Sequence, residues 1–376
     1  MIYLDNAATS GVKPSGVIAA TASALKYYSA NPGRSGYKTS IEASLRVYKT
    51  RAKLSDFFVA EGPESVAFTL NCTHAINCIL KGKLSRGDHV IISDLEHNAV
   101  VRPLYSLIKQ KGVEVSVAET SLNDDVTVLN FEKLIKPNTR MIFCTHASNV
   151  TGQILPIKRI GEMAESKGIA FAVDAAQTAG VLPINMQEMN IDYLAVAAHK
   201  GLYSPMGIGV LIAREPLEHT VLEGGTGSNS IDPSQPVDMP ERVESGTVNL
   251  PGIFGLSAGV DFVKFRGADN IYRHEFGLIK YLYEALKRSN RVILYTSTPE
   301  LYRCVPVLSF NVADKTSEEV AAILAEKNIA VRAGLQCAPT AHKKIGTLPF
   351  GAVRVSTGAF NNKAEIDRLI EIVKKI

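Results

Sequence analysis

Residues 169–213 read IAFAVDAAQTAGVLPINMQEMNIDYLAVAAHKGLYSPMGIGVLIA, and they hold three short apolar runs: Ile169–Val173, Tyr193–Ala197 and Gly209–Ala213. Runs of that length, bounded by Asp, Gly and Pro, read as buried strands. The same punctuation recurs upstream. Val66–Leu70 and His89–Ser93 read as strands, followed by helical stretches at His74–Leu84 and Asn98–Lys111. Val113–Ala118, Phe131–Lys136 and Met141–Thr145 continue the series, and Ile157–Lys167 reads as the helix leading into Ile169. Strands alternating with helices predict an α/β architecture, a mostly parallel sheet covered on both faces.

Beyond this series the pattern changes. Residues 223–240, EGGTGSNSIDPSQPVDMP, read as one long loop, and a loop of that length inside a compact chain is more often functional than not. From Ile253 come helical stretches through Lys264 and over 270–288, then strand-like Val305–Asn311, helical Ser317–Lys327, strand-like Ile329–Arg332 and Ala352–Ser356, and a final helix Lys363–Lys375. We therefore expect a large domain over 15–252 and a smaller C-terminal α+β domain over 253–376, joined by residues 1–14.

Composition narrows the function classes. The chain has 376 residues, 46% hydrophobic and 21% charged, enough to bury a core without disulfides or structural metal. Its 41 Lys and Arg against 37 Asp and Glu leave a net charge of +4, with no basic cluster beyond pairs such as Lys343-Lys344 and Lys374-Lys375, so no nucleic-acid partner is expected. No apolar run approaches the ~18 residues of a membrane span. The opening MIYLDNAATS, with Asp5, is not a signal peptide, so a cytoplasmic location is expected. Five cysteines, at 72, 78, 144, 304 and 337, with no CxxC, form neither a zinc nor a disulfide framework. No metal site is expected, and free thiols fit a reducing compartment. The first four neighbour apolar residues and are expected simply to pack.

Candidate chemistry gathers at strand ends. AFAVDAAQ places Asp174 just past one apolar run, and YLAVAAHK places His199 and Lys200 just past another. Ligands of open α/β sheets collect at the carboxyl ends of strands. A carboxylate and an amine meeting there fit two descriptions, an edge salt bridge or the pair that pyridoxal phosphate requires: an acid for its ring nitrogen and a lysine for its aldehyde. NCTHAIN (71–77) lies between a strand and a helix, where Asn71 or Thr73 is a simple N-cap or part of a phosphate cradle. His97, in DLEHNAV, is a structural histidine at a helix start or a ring that stacks on a flat ligand. Gln177 follows Asp174 by one short turn, and Asn149 of HASNVTG follows the strand at 141–145.

Taken together, YLDNAAT, NCTHAIN, LEHNA, SNVTGQ, VDAAQ, AAHKGLYSPMGIG, ESGTVN and VRAGLQCAP resemble, in order and over essentially the whole chain, the class V aminotransferase family of fold-type I pyridoxal-phosphate enzymes. Within it the chain is most similar to cysteine desulfurases and selenocysteine lyases of the short-loop, group II kind. The resemblance implies that Lys200 bonds the aldehyde of pyridoxal 5'-phosphate, Asp174 pairs with its ring nitrogen, His97 stacks on the ring and Gln177 contacts the phenolic oxygen. It implies that Thr73, His74 and His199 hold the phosphate. Thr247 in ESGTVN would reach the phosphate of a neighbouring subunit, so a homodimer with shared active sites is implied. Asn149, Arg332 and Arg354 would bind the substrate carboxylate, for which a guanidinium offers a two-pronged fit.

Cys337 decides among the activities. Gly334 and Pro339 mark its segment as a loop, and Arg332 five residues earlier favours the thiolate, the nucleophilic form. Read from the residues alone, it is either a buried structural thiol or a reactive one. The resemblance implies the second: Lys200, His97 and Cys337 as the catalytic residues of a cysteine desulfurase that turns L-cysteine into L-alanine and leaves a persulfide on Cys337 for an acceptor protein. Selenocysteine lyase, cysteine sulfinate desulfinase, or a class V aminotransferase or epimerase without sulfur transfer are the alternatives. The chain opens at the first family motif, so no DNA-binding module is expected. The sequence departs from its relatives at Ala197, where many carry a serine toward the phosphate, and at Leu335-Gln336, where group II enzymes often carry histidines. The GGTGSNS segment also differs, and residues 223–229 are expected to shape the substrate entrance or a subunit interface.

Overall fold

The computed structural model describes residues 1–33, 35–228, 230–348 and 350–376. The first half runs β1 (Ile2–Tyr3), α1 (Ser15–Tyr27), α2 (Lys38–Phe58), β2 (Val66–Thr69), α3 (Cys72–Lys83), β3 (His89–Ser93), α4 (Asn98–Lys111), β4 (Glu114–Ala118), α5 (Asp124–Glu132), β5 (Thr139–Thr145), α6 (Ile157–Ser166), β6 (Ala170–Asp174), β7 (Tyr193–Val196) and β8 (Gly209–Ala213). The second half runs α7 (Leu250–Arg266), α8 (Ala268–Leu286), β9 (Val292–Leu294), β10 (Val307–Val312), α9 (Ser317–Glu326), β11 (Ile329–Ala330), α10 (Pro339–Lys344), β12 (Val353–Ser356) and α11 (Lys363–Val373).

Seven strands form the main sheet in the order β2-β8-β7-β6-β5-β3-β4. From β4 to β7 every pairing is parallel, while β8 runs antiparallel to both its neighbours. The interior strands are buried along almost their whole length, which is why they read as unbroken apolar runs. Their side chains still divide by the two-residue period. Ile142, Val173, Leu194 and Val210 enter the core on one face, and Phe143, Ala172, Ala195 and Leu211 enter the core on the other. Each such aliphatic side chain contributes roughly 1.5–3 kcal/mol when fully buried. Buried residues of α1, α2, α6 and α7 close the first face, and those of α3 and α4 close the second. The fold is thus an α/β one with a mostly parallel central sheet, as expected.

Three features differ in detail from the sequence reading. Two helices, α1 and α2, precede the alternating series. The buried stripe of α2, at Ala43, Val47, Leu54 and Phe58, is interleaved with exposed Ile41, Leu45 and Tyr48, which blurs its period. The helix between β4 and β5 lies ahead of the Phe131–Lys136 run, starting at Asp124 behind an Asn123 cap. Helix α7 crosses the expected boundary at 252/253, and its Ile253, Leu256 and Val260 sit in the core beneath the main sheet.

The remaining strands make a small antiparallel sheet, β12-β10-β9. Phe310 and Val355 of this sheet pack with Leu282 of α8, Leu324 of α9 and Leu369 of α11. The chain start is woven into the same unit, because β1 pairs parallel with β11 and Leu4 enters that core. This pairing carries Asp5 to Ser356, at the end of β12. The loop after residue 223 is anchored at its far end. Glu244 accepts from both terminal nitrogens of Arg51, at 2.7 and 2.6 Å, and from the Phe68 N–H of edge strand β2. Asn229 of the GGTGSNS segment lies outside the described residues.

Candidate active site

The carboxyl ends of β5 and β6, the turn after β7 and the start of α3 enclose a cleft of about 200 Å³. Thr73, His97, Asn149, Asp174, Gln177, His199 and Lys200 all line it. Seven of the residues singled out from sequence are therefore neighbours, although 127 positions separate the first from the last. The parallel sheet does this by ending its strands side by side: Thr145 of β5 pairs with Asp174 of β6, which pairs with Ala195 of β7.

Asp174 is buried at the strand end, where its Oδ1 accepts from the Ala176 N–H at 2.8 Å. Lys200 Nζ forms no hydrogen bond with any described residue. Burial holds its pKa below the ordinary lysine value, an effect opposed by the nearby Asp174 carboxylate. The pair is thus not an edge salt bridge, and the amine is free to bond an electrophile. His97 caps a helix and also lines the cleft. Its Nδ1 accepts from the Ala99 N–H at 3.0 Å as the N-cap of α4, which leaves the proton on Nε2, and the ring still lines the cleft. Burial lowers its pKa. Gln177 donates to the Ala7 carbonyl at 3.2 Å.

The start of α3 is an open anion cradle. Asn71 caps the helix by accepting from the His74 N–H at 2.9 Å, and no described residue accepts from the N–H groups of Cys72 or Thr73. The cradle is possible because β8 starts with glycine: a Cβ on Gly209 would lie 2.4 Å from the Asn71 carbonyl carbon. His199 lines the same end, and its buried Nδ1 has no partner among the described residues. Burial, then the charges of Lys200 and Lys13, push its pKa down to about 4. A free amine, a buried acid, an orphaned ring nitrogen and unpaired helix N–H groups are what a phosphorylated aromatic aldehyde with a basic ring nitrogen needs, so the residues present fit pyridoxal phosphate.

Five expected residues do not line this cleft: His74, Thr247, Arg354, Arg332 and Cys337. His74 turns its ring back, and its Nδ1 accepts from the Leu70 N–H at 3.3 Å. Thr247 is exposed, beside a separate hollow formed by Gly246, Val248 and Arg51. Arg354 is buried and already engaged, donating to Asp5 Oδ1 at 2.6 Å and to the Asn149 carbonyl at 3.1 Å, with no partner for its Nε among the described residues. Arg332 follows β11 and pairs through its backbone with Arg354, at 3.1 and 2.7 Å, but its side chain makes no hydrogen bond or ion pair to a described residue, and its charge is felt at both His97 and Lys200.

Cys337 is exposed, whereas the other four cysteines are buried. Its carbonyl accepts from the Asn98 N–H at 2.7 Å, one residue from His97. The preceding Gln336 carbonyl accepts from Asn149 Nδ2 at 2.8 Å. The loop carrying the thiol thus rests on two walls of the cleft.

Two residues escaped the sequence reading. Cys72 does not simply pack. It lines the cleft, and its Sγ donates to Asp174 Oδ1 at 3.6 Å, while burial and that carboxylate push its pKa up. The signal in sequence is its position between Asn71 and Thr73, in the turn that opens α3. Glu96 is fully buried behind His97, accepting from Ser93 Oγ at 2.5 Å and from the Thr145 N–H at 2.8 Å. It ties the turn bearing His97 to the end of β5, and burial raises its pKa to about 8.

Comparison with known proteins identifies the family and the fold. The family model for class V aminotransferases matches residues 2–369. A probable cysteine desulfurase of Methanothermobacter thermautotrophicus is 31% identical, over 100% of this chain and 94% of its own. The apo structure of a cysteine desulfurase from Thermococcus onnurineus NA1 superposes with a TM-score of 0.91 at 32% identity, covering 100% of this chain and 94% of the other. The cysteine desulfurase CsdA (S-sulfonic acid) of Escherichia coli gives a TM-score of 0.86 at 28% identity, covering 99% and 94%.

Proposed function

The chain belongs to the class V aminotransferase family, and from that premise we propose that it is a cysteine desulfurase that uses Cys337 as its sulfur acceptor. The observation that carries the reading is the seat of the exposed Cys337 loop on Asn98 and Asn149, at the edge of the cleft that holds Lys200 and Asp174.

Pyridoxal phosphate, the cofactor of the family, supplies when bound an aldehyde and an electron-withdrawing ring that stabilises charge at the substrate Cα. The protein does the rest. Thr73 and the first N–H groups of α3 would hold the phosphate with His199, and Asp174 would hold a proton on the ring nitrogen. His97 would lie against the ring, and Gln177 would contact its phenolic oxygen. His74, whose Nδ1 accepts from the Leu70 N–H, would have only Nε2 to offer the phosphate. Lys200 Nζ, whose lowered pKa leaves more of it neutral, takes a proton from Cα and returns one later. Arg332 is the free cation for the substrate carboxylate, with Asn149 beside it, and Arg354 contributes once its ion pair with Asp5 loosens. Cys337 Sγ bonds to the substrate sulfur as the Cβ–S bond breaks. The carbon keeps that electron pair, gains a proton and leaves as alanine, while Cys337 retains the persulfide for an acceptor protein.

The reading includes a homodimer. Ile18 and Leu25 of α1, with Ile41, Leu45 and Tyr48 of α2, expose apolar side chains on two helices that both pack against α7, and Thr247 lies outside its own cleft, where a partner's phosphate would meet it. It also includes two domains, with the division displaced past α7, and a cytoplasmic location. No described helix is long and apolar enough to cross a membrane. The test is Cys337→Ala with L-cysteine, L-selenocysteine and cysteine sulfinate. Alanine formation from L-cysteine should fall at least a hundredfold while the visible absorbance of bound cofactor is unchanged. Wild-type turnover of L-cysteine in that variant would overturn the proposal.

A further inference from the structure

Gln336 and Cys337 hold φ angles of 42° and 58°, two successive non-glycine residues in the left-handed region. Such strain persists only where the surroundings over-determine it. The side chain of Gln336 points inward and is buried. Its Nε2 donates to the Ala352 carbonyl at 2.8 Å, and its Oε1 meets His342 Nε2 at 2.7 Å. On its other side the His342 ring meets Thr347 Oγ1 through Nδ1, at 2.7 Å.

The proton positions in this chain are fixed by chemistry. Ala352 O can only accept, so the Gln336 amide presents its NH2 there and its oxygen to the histidine. His342 must then carry its proton on Nε2, and its Nδ1 accepts from the Thr347 hydroxyl. Burial pushes the His342 pKa down to about 4, in keeping with a neutral ring. Every polar atom of the ring is thereby satisfied without water.

We propose that Gln336, His342 and Thr347 form a latch that positions the Cys337 thiol for sulfur transfer; this rests on the reading of Cys337 as sulfur acceptor. Gln336 is at once the inner end of the latch and the peptide that turns the thiol outward. Its side chain is locked to α10 and to the start of β12, while its carbonyl is held by Asn149, whose own carbonyl accepts from Arg354. One residue thus fixes the thiol against the carboxylate-binding groups. Gln336, His342 and Thr347 are positioning residues, since none of them touches the cleft.

The experiment compares the holoenzymes of the wild type, Gln336→Ala, Thr347→Val and Thr347→Ser. Thr347→Val keeps the shape and removes the hydroxyl donor, and Thr347→Ser keeps the donor. We expect kcat for alanine formation to fall tenfold or more in Gln336→Ala and Thr347→Val, with KM for L-cysteine within about twofold and cofactor absorbance intact, and we expect Thr347→Ser to behave as wild type. Hydrogen exchange over residues 334–340 should speed up in the first two variants only. Unchanged exchange and unchanged kcat in Thr347→Val would overturn the latch, even if Gln336→Ala failed to fold. Were Cys337→Ala itself fully active, the sulfur-acceptor reading would fall, and the latch would still be judged by exchange alone.

Discussion

Asp174 leaves the end of a strand buried on both faces, whereas Cys337 stands exposed on a loop between a two-residue strand and a six-residue helix. The cleft around Asp174 and Lys200 takes its geometry from the main sheet, whose neighbouring strands must end together once their apolar faces are filled. The thiol loop takes its geometry from a handful of polar contacts and two glycines. A sheet-built site tolerates loss of a single contact, because the backbone stays where the core puts it. A loop-built site holds left-handed residues that each cost about 1–2 kcal/mol, so it depends on every contact that opposes this strain.

The largest effect expected from this contrast is also the most local. Lys200→Ala should lower alanine formation by roughly a thousandfold or more and abolish borohydride labelling of the protein by the cofactor. Labelling of Cys337 by iodoacetamide should proceed at the wild-type rate, because the loop does not rest on the lysine. Loss of both in that variant would show that the two regions are one mechanical unit.

Gly351→Ala attacks the other side. Gly351 has φ +64°, and a Cβ there would lie 2.5 Å from the carbonyl carbon and oxygen of Gly334, the crossing that seats the thiol loop on β12. Overpacking and left-handed strain together predict a loss of roughly 2–4 kcal/mol in urea unfolding. Alanine formation should fall while cofactor absorbance persists. If stability and turnover were both untouched, the loop would not owe its shape to that crossing.

Acid tests both regions at once. Burial lowers the pKa of His146 and His342 to about 4, and burial with neighbouring lysines does the same for His199, against an ordinary 6.5. Between those values the unfolded chain binds more protons than the folded one, so stability falls as pH drops from 6.5 toward 4. Glu96 and Glu275 act with the opposite sign. Burial raises both to about 8 from 4.5, so stability falls as pH rises through that window. The midpoint of thermal unfolding should therefore peak at about pH 6.5, and Glu275→Gln should flatten the alkaline limb. His146→Gln, beside the cleft, and His342→Gln, in the loop, should each flatten part of the acid limb. A limb flattened by only one of them would assign acid sensitivity to that region alone.

How much of this was legible follows the same division. Apolar runs announced the strands, so Asp174, Lys200, His97 and Thr73 could be placed at strand ends and found together. The periodicity of α2 was hidden by the exposed Ile41, Leu45 and Tyr48, which face away from the core. The engagement of Arg354 by Asp5 could not be read, because 349 positions separate them and it takes the pairing of the chain start with β11 and with the end of β12 to bring them close. The latch was equally hidden. In sequence Gln336 stands out only as a departure from the family pattern, and nothing in the spacing shows that its side chain turns inward to meet His342. Polar contacts within loops leave no periodic trace in sequence, whereas core packing does.

Cys72→Ala makes the smallest change and examines the cleft's tolerance most finely. The thiol is a weak donor at 3.6 Å, so its removal should cost at most about 1 kcal/mol. Asp174 Oδ1 keeps the Ala176 N–H, so the carboxylate stays in place. It loses a neighbouring donor, however, and becomes a slightly stronger acceptor for a ring nitrogen. The expected result is a change in cofactor affinity of no more than about fivefold, with a small shift in the pH midpoint of the bound cofactor's absorbance toward higher pH. The larger effect of Gly351→Ala, at a glycine that does not line the cleft, should remain plain beside it. A Cys72→Ala protein unable to retain cofactor would mean that Asp174 is held by that thiol rather than by the end of its strand, and the contrast between the two regions would fail at its better-supported end.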